Sequence, residues 1–94
     1  MKDIIITLNK KAAQEFIDLG IHKLEGSFIH ACTTEQLEYV LNKHYENKDV
    51  YLFYLDQNID NLKWEEAMNG DLFPHIYGDI DKSDVVKVQF LENE

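Results

Sequence analysis

Six consecutive apolar or aromatic residues, Val50–Leu55, constrain the fold of this chain more than any other segment. A strand with one face in water alternates apolar and polar residues, and this run has no polar position. We therefore predict a strand that is buried on both faces at the middle of a β-sheet. The 94 residues predict one domain, 1–94, since a domain normally takes about 100–200 residues.

Local signals predict two helices. The β-branched run Asp3–Leu8 is typical of a strand, and Asn9 and Gly20 suit the two ends of a helix over Lys10–Leu19. A capping box begins at Thr33, with a Gln three residues later, and it predicts the start of a second helix.

The other segments are predicted from composition and from turn residues. Further strands are expected at Ser27–Cys32, Leu62–Glu65 and Ser83–Leu91, a loop at Ile21–Ser27, and an irregular aromatic segment at Leu72–Gly78. Helices come early in the chain and strands late, which favours an α+β fold.

The net charge of −9 limits the partners that this chain can bind. Eighteen acidic residues face nine basic ones, all of them lysine. Nucleic acids and anionic membranes are bound by cationic surfaces, so we predict no partner of either kind.

One cysteine excludes an intramolecular disulfide, and the apolar N-terminal run is too short for a signal peptide. These features predict a cytoplasmic protein.

The junction between the predicted strand and the second helix is the first candidate for chemistry. The period of two along a strand places Phe28, His30 and Cys32 on one face. The helix N-terminus offers unpaired N–H groups and the positive end of a dipole, so His30, Thr33 and Thr34 can hold an anion such as phosphate. The structural alternative is that Thr33 caps the helix while Cys32 and His30 fill the core.

Two later segments supply further candidates. Glu65, next to Trp64, can orient a ribose hydroxyl or act as a general base, or it can simply end a solvated strand with the indole packed on the core. A stiff segment around the only proline carries side chains that can line a pocket or pack as a satellite core: Phe73, His75 and Tyr77.

Other chemistries find little support. His30, Cys32 and His75 lack the paired spacing of a zinc site, so no metal is predicted. A nucleophilic Cys32–His75 pair is no better supported, because a lone buried cysteine is generally inert. We expect His22 and His44 on the surface. The sequence contains no Gly-rich phosphate loop and no Ser nucleophile elbow.

Taken together, these motifs resemble a family of small bacterial proteins called domain of unknown function 952. The matching segments, which are spread over nearly the whole chain, are Ser27-Phe28-Ile29-His30-Ala31-Cys32-Thr33, Lys63-Trp64-Glu65 and Asp71-Leu72-Phe73-Pro74-His75-Ile76-Tyr77-Gly78. The family has an Arg where this chain has Lys63, which replaces a bidentate phosphate clamp by a point charge.

The resemblance implies a fold and a site. The family's fold is similar to that of the ADP-ribosyltransferases, in which two small β-sheets pack together with two flanking helices and form a cleft for a nicotinamide dinucleotide. By the same resemblance, His30 would hold the ribose and Glu65 would orient a ribose hydroxyl. Phe73, His75 and Tyr77 would line the cleft, with Trp64 converging on the same pocket.

Three functions remain open from the sequence. The first is a nucleotide-binding domain that takes NAD or ADP-ribose, with NAD as the substrate of a transferase or NAD-processing reaction. The second is a non-enzymatic module that binds a protein or small molecule through the same cleft or its acidic surface. In the third, the motifs serve only packing.

Overall fold

The structure is a computed structural model that describes residues 3–92. Within this range the chain forms two α-helices and eight β-strands. In chain order they are β1 Ile4–Leu8, α1 Lys10–Leu19, β2 Ile21–His22, β3 Ile29–His30, α2 Thr34–His44, β4 Val50–Leu55, β5 Leu62–Glu66, β6 Leu72–Ile76, β7 Ile80–Asp81 and β8 Val85–Leu91, with a 3₁₀ turn at Lys82–Asp84. The predicted α+β class is confirmed.

Strand β4 is the middle strand of an antiparallel sheet in the order β1-β4-β8, as predicted. On one face Phe53 and Leu55 pack in a cluster with residues of α1, and on the other Val50 and Leu52 pack in a cluster with residues of α2. All four of these side chains are at most 3% exposed. The two helices therefore cover opposite faces of the same sheet.

A second antiparallel sheet has the strand order β3-β6-β5, and backbone bonds between Ile5 and Cys32 connect it to the first. The N–H of each of these residues donates to the carbonyl of the other, and both N–O distances are 2.8 Å. Cys32 lies two residues beyond the end of β3. One short stretch of chain therefore pairs first with β6 and then with β1.

The prediction of a loop at Ile21–Ser27 is wrong at its beginning. Ile21 and His22 form β2, which pairs with Ile80 and Asp81 of β7. The described residues thus contain three sheets where two were expected. A strand of two residues has no room for a hydrophobic period, which explains why the sequence does not reveal it.

The prediction of an irregular segment at Leu72–Gly78 is also wrong, because most of it is the central strand β6. Proline is rare in central strands since it has no N–H to donate. The carbonyl of Pro74 accepts from the N–H of Ala31 at 3.1 Å. The nitrogen and oxygen of one strand residue point to the same side, so the missing N–H of Pro74 faces the chain just beyond the last residue of β3.

Both helices begin with the predicted caps. The side chain of Asn9 accepts from the N–H of Ala12 at 2.8 Å, and Gly20 ends α1 with φ +74°. At α2 the Gln36 N–H donates to the Thr33 hydroxyl at 3.3 Å, and the Gln36 side-chain oxygen accepts from the Thr33 N–H at 3.0 Å. In the described range, neither helix is long and apolar enough to cross a membrane.

Replacing Thr33 with Val tests the capping role of a side chain that is 1% exposed. The substitution keeps the volume but removes the oxygen that accepts from Gln36. We expect the free energy of unfolding in a urea titration to fall by about 1–2 kcal/mol.

The control is Thr34→Val, at an exposed position where the hydroxyl donates to Asp3. It should change the free energy of unfolding by about 0.5 kcal/mol or less. Equal effects of the two substitutions would contradict the capping role.

Candidate functional site

The register of the sheet β3-β6-β5 brings most of the predicted site residues onto one face. His30 pairs with His75, which pairs in turn with Lys63, and Glu65 pairs with Phe73. Because side chains alternate between the faces of a strand, these residues point to the same side of the sheet. We call the six members of this face that contact one another the aromatic–histidine cluster: Phe28, His30, Lys63, Glu65, His75 and Tyr77.

Glu65 is the centre of the polar contacts in the cluster. Its Oε1 accepts a hydrogen bond from the Tyr77 hydroxyl and lies 2.9 Å from Nδ1 of His75. The side chain of Glu65 is 40% exposed, whereas that of His75 is 12% exposed. Glu65 of β5 therefore holds two side chains: His75 of the neighbouring strand β6, and Tyr77, the residue that follows β6.

These contacts shift the pKa values of Glu65 and Tyr77. Hydrogen bonds from Tyr77 and then His75 lower the pKa of Glu65 from its ordinary value, with a smaller contribution from the positive charge of Lys63. The hydrogen bond to Glu65 raises the pKa of the Tyr77 phenol. Near neutral pH the pair is therefore a carboxylate that accepts and a phenol that donates.

Phe28 makes the principal ring contacts of the cluster. Its ring stacks on His75 with centroids 4.0 Å apart and planes 20° apart. It also meets the ring of His30 at 4.7 Å in an edge-on contact and the ring of Tyr77 at 5.5 Å. The Nζ of Lys63 lies 5.1 Å from the centroid of Tyr77, within the range of a cation–π contact.

His30 is exposed, so it is not the core histidine that the structural alternative required. Partial burial, followed by the charges of His75 and His44, lowers the pKa of His30. This imidazole is therefore predominantly neutral at neutral pH and can both donate and accept a hydrogen bond. Its ring centroid lies 5.5 Å from that of His75.

A cleft of about 1090 Å³ borders the cluster. Side chains of α1, β2, β3 and α2 line it, and all four histidines of the chain contribute. Phe28, His30 and His75 lie on this lining, whereas Glu65 and Tyr77 lie outside it. His75 is thus the member of the hydrogen-bonded set Tyr77–Glu65–His75 that reaches the cleft.

Four predicted site residues lie apart from the cluster. Trp64 is paired with Pro74 and points to the opposite face of the sheet, so it does not converge with Glu65 and His75. Thr33 is buried and caps α2, and the Thr34 hydroxyl donates to Asp3. Phe73 is buried in the cluster that α2 covers, although it also lines the cleft.

Cys32 is buried, and burial raises the pKa of its thiol to about 11. Such a thiol is protonated at neutral pH and is a poor nucleophile. Among residues 3–92, no three His, Cys, Asp or Glu side chains are arranged to hold a metal ion.

Sequence reasoning did not include Phe28 or Lys63 among the site residues. The period of two already placed Phe28 on the face of His30, which was the available signal. The contact of Lys63 with Tyr77 depends on the pairing of β5 with β6, which no local pattern specifies. His22, expected on the surface, is half-buried against Phe16, and burial lowers its pKa.

Comparison with protein families matches residues 8–88 to the family described as "Protein of unknown function (DUF952)". The chain belongs to this family. The family resemblance inferred from the motifs is therefore confirmed. A comparison with curated proteins found no match.

Solved structures of protein CC0527 from Caulobacter crescentus are similar in fold. The crystal structure has a TM-score of 0.88 and 22% identity over 98% of this chain and 88% of that chain. The crystal structure of a double mutant of CC0527 gives the same values. The solution NMR structure has a TM-score of 0.81 and 24% identity over 98% of this chain and 86% of that chain. At this identity the likeness establishes the fold.

Replacing Tyr77 with Phe removes the hydroxyl that donates to Glu65. We expect the pKa of Glu65, followed by NMR titration of its carboxyl carbon, to rise toward its ordinary value of 4.5. A lowered folded-state pKa means that Glu65 stabilises the fold above its unfolded pKa and that this contribution disappears as pH falls through the folded pKa. In the variant, this contribution should be smaller, and its loss should be complete at a higher pH, because the folded-state pKa lies closer to the unfolded one.

Tyr54→Phe is the matched control, because the Tyr54 hydroxyl donates to Gln89 on the other sheet. It should leave the pKa of Glu65 unchanged. A wild-type titration curve for Glu65 in Tyr77→Phe would contradict the hydrogen bond.

Proposed function

We propose that this chain is a nucleotide-binding domain that takes NAD or ADP-ribose on the aromatic–histidine cluster and acts on NAD as a transferase or NAD-processing enzyme. The observation that carries the proposal is the meeting of two imidazoles, a carboxylate and two aromatic rings on one face beside a cleft. An ADP-ribosyltransferase-like fold and a cytoplasmic location are parts of the same proposal.

The aromatic rings and imidazoles of the cluster suit parts of such a ligand. Aromatic rings stack on planar bases or on a pyridinium, and a neutral imidazole such as His30 can bond to ribose hydroxyls. Glu65 lies outside the cleft and fixes the imidazole of His75, which lies on the cleft lining. These features support a ligand that combines an aromatic ring with a sugar.

The charges along the cleft favour both the proposal and its alternative. Three lysines, Lys23, Lys43 and Lys48, line the cleft and can attract a diphosphate in the absence of arginine. Three carboxylates also line it, those of Glu15, Glu25 and Asp49. This balance supports a second candidate, a non-enzymatic module whose cleft or acidic surface binds a protein or a small molecule.

Thermal unfolding with NAD and with ADP-ribose tests the proposal. A ligand at 100 times its Kd should add about 2.7 kcal/mol to the free energy of unfolding, which is a measurable rise in Tm. We expect this rise in the wild type and its loss in His30→Ala, since that exposed side chain contributes little to stability.

Thr34→Ala is the control and should keep the full ligand-induced rise, because Thr34 lies apart from the cluster. Absence of any shift with either nucleotide would contradict the proposed function. Absence of a shift together with saturable binding of a cationic protein would favour the second candidate.

A further inference from the structure

The imidazole of His75 has two edges with different surroundings. Its Nδ1 lies 2.9 Å from Glu65, on the side of strand β5. Cε1 separates Nδ1 from Nε2, and the bonding directions of the two nitrogens diverge, so Nε2 does not point at Glu65. His75 and His30 both line the cleft, with ring centroids 5.5 Å apart, whereas Glu65 does not line it.

The hydrogen bond at Nδ1 determines which nitrogen carries the proton. Glu65 is ionised at neutral pH and can only accept, so Nδ1 must donate to it. In a neutral imidazole the other nitrogen is then an acceptor with an available lone pair. The hydroxyl of Tyr77 donates to the same carboxylate oxygen and so also restrains Glu65.

We propose that His75, through Nε2, is the general base of this site and that Glu65 and Tyr77 are positioning residues behind it. The assignment deepens the proposed function and rests on it for the identity of the ligand. It differs from the roles implied by the family resemblance, in which Glu65 meets the ribose and His75 lines the cleft. We assign the base to His75 and not to Glu65 because His75 lines the cleft, whereas Glu65 lies outside it.

With NAD bound, the base acts on a water molecule at Nε2 of His75. The water oxygen forms a bond to ribose carbon C1′ while one of its protons passes to Nε2 of His75. The bond from C1′ to the pyridinium nitrogen breaks, and its electron pair stays on that nitrogen. The products are ADP-ribose, neutral nicotinamide and an imidazolium, which returns its proton to solvent.

The tautomer of His75 provides a test that needs no ligand. In a long-range ¹H–¹⁵N NMR spectrum, recorded where the imidazole is neutral, the wild type should have its proton on Nδ1. Glu65→Ala should redistribute the proton between the two nitrogens. Glu66→Ala is the matched control, since it removes the adjacent carboxylate on the opposite face, and it should leave the Nδ1–H form unchanged. A proton on Nε2 in the wild type would overturn the assignment.

Release of nicotinamide from NAD provides the second test. Removing a general base costs about 10²- to 10⁴-fold in rate, so His75→Gln should lose that factor in kcat while Glu66→Ala keeps the wild-type rate. An unchanged kcat in His75→Gln would overturn the assignment. If the wild type does not bind NAD, the proposed function fails, and the tautomer alone then decides whether His75 is poised as a base.

Discussion

The two backbone hydrogen bonds between Ile5 and Cys32 are the constraint on which the arrangement of this molecule depends. They join the edge of one sheet to the segment that leaves the other. Two residues before Cys32, His30 faces the cleft, and one residue after it, Thr33 caps α2. A shift of this pairing by one residue would move His30 to the other face of its sheet. The same bonds thus set the position of the site and the start of the helix that borders it.

The two apolar faces of β4 divide the interior into two layers with different tasks. The layer under α1 also receives Ile29 and Ile76 from the back of the second sheet. The layer under α2 contains Cys32 and Phe73, which come from the front of the second sheet, the face that also carries His30 and His75. The second sheet is therefore anchored on both faces close to Cys32, and the part of its front that carries His30 and His75 borders the cleft. This division explains how a small chain keeps polar side chains in a defined geometry without burying them completely.

Local patterns were sufficient to predict both helices, their caps and the central position of β4. These features depend on residues that are close in the sequence, such as Asn9 with Ala12 or Thr33 with Gln36. The pairing of β5 with β6 was not predictable, because two short strands can pair in more than one register. The sequence alone therefore placed Trp64 in the pocket with Glu65, although the two side chains point to opposite faces of the sheet. Because of its proline, β6 was predicted as an irregular segment, although the carbonyl of Pro74 still accepts a backbone hydrogen bond from Ala31.

The stack of Phe28 on His75 has a consequence for recognition. The protein already occupies one face of this imidazole with its own ring, at a centroid distance of 4.0 Å. A planar ligand can reach that face only by replacing Phe28, so it exchanges one stacking contact for another of similar strength. The net gain from stacking there is then small, and discrimination among ligands falls to the directional bonds offered by the imidazoles. A site built in this way recognises hydroxyl patterns more sharply than ring identity.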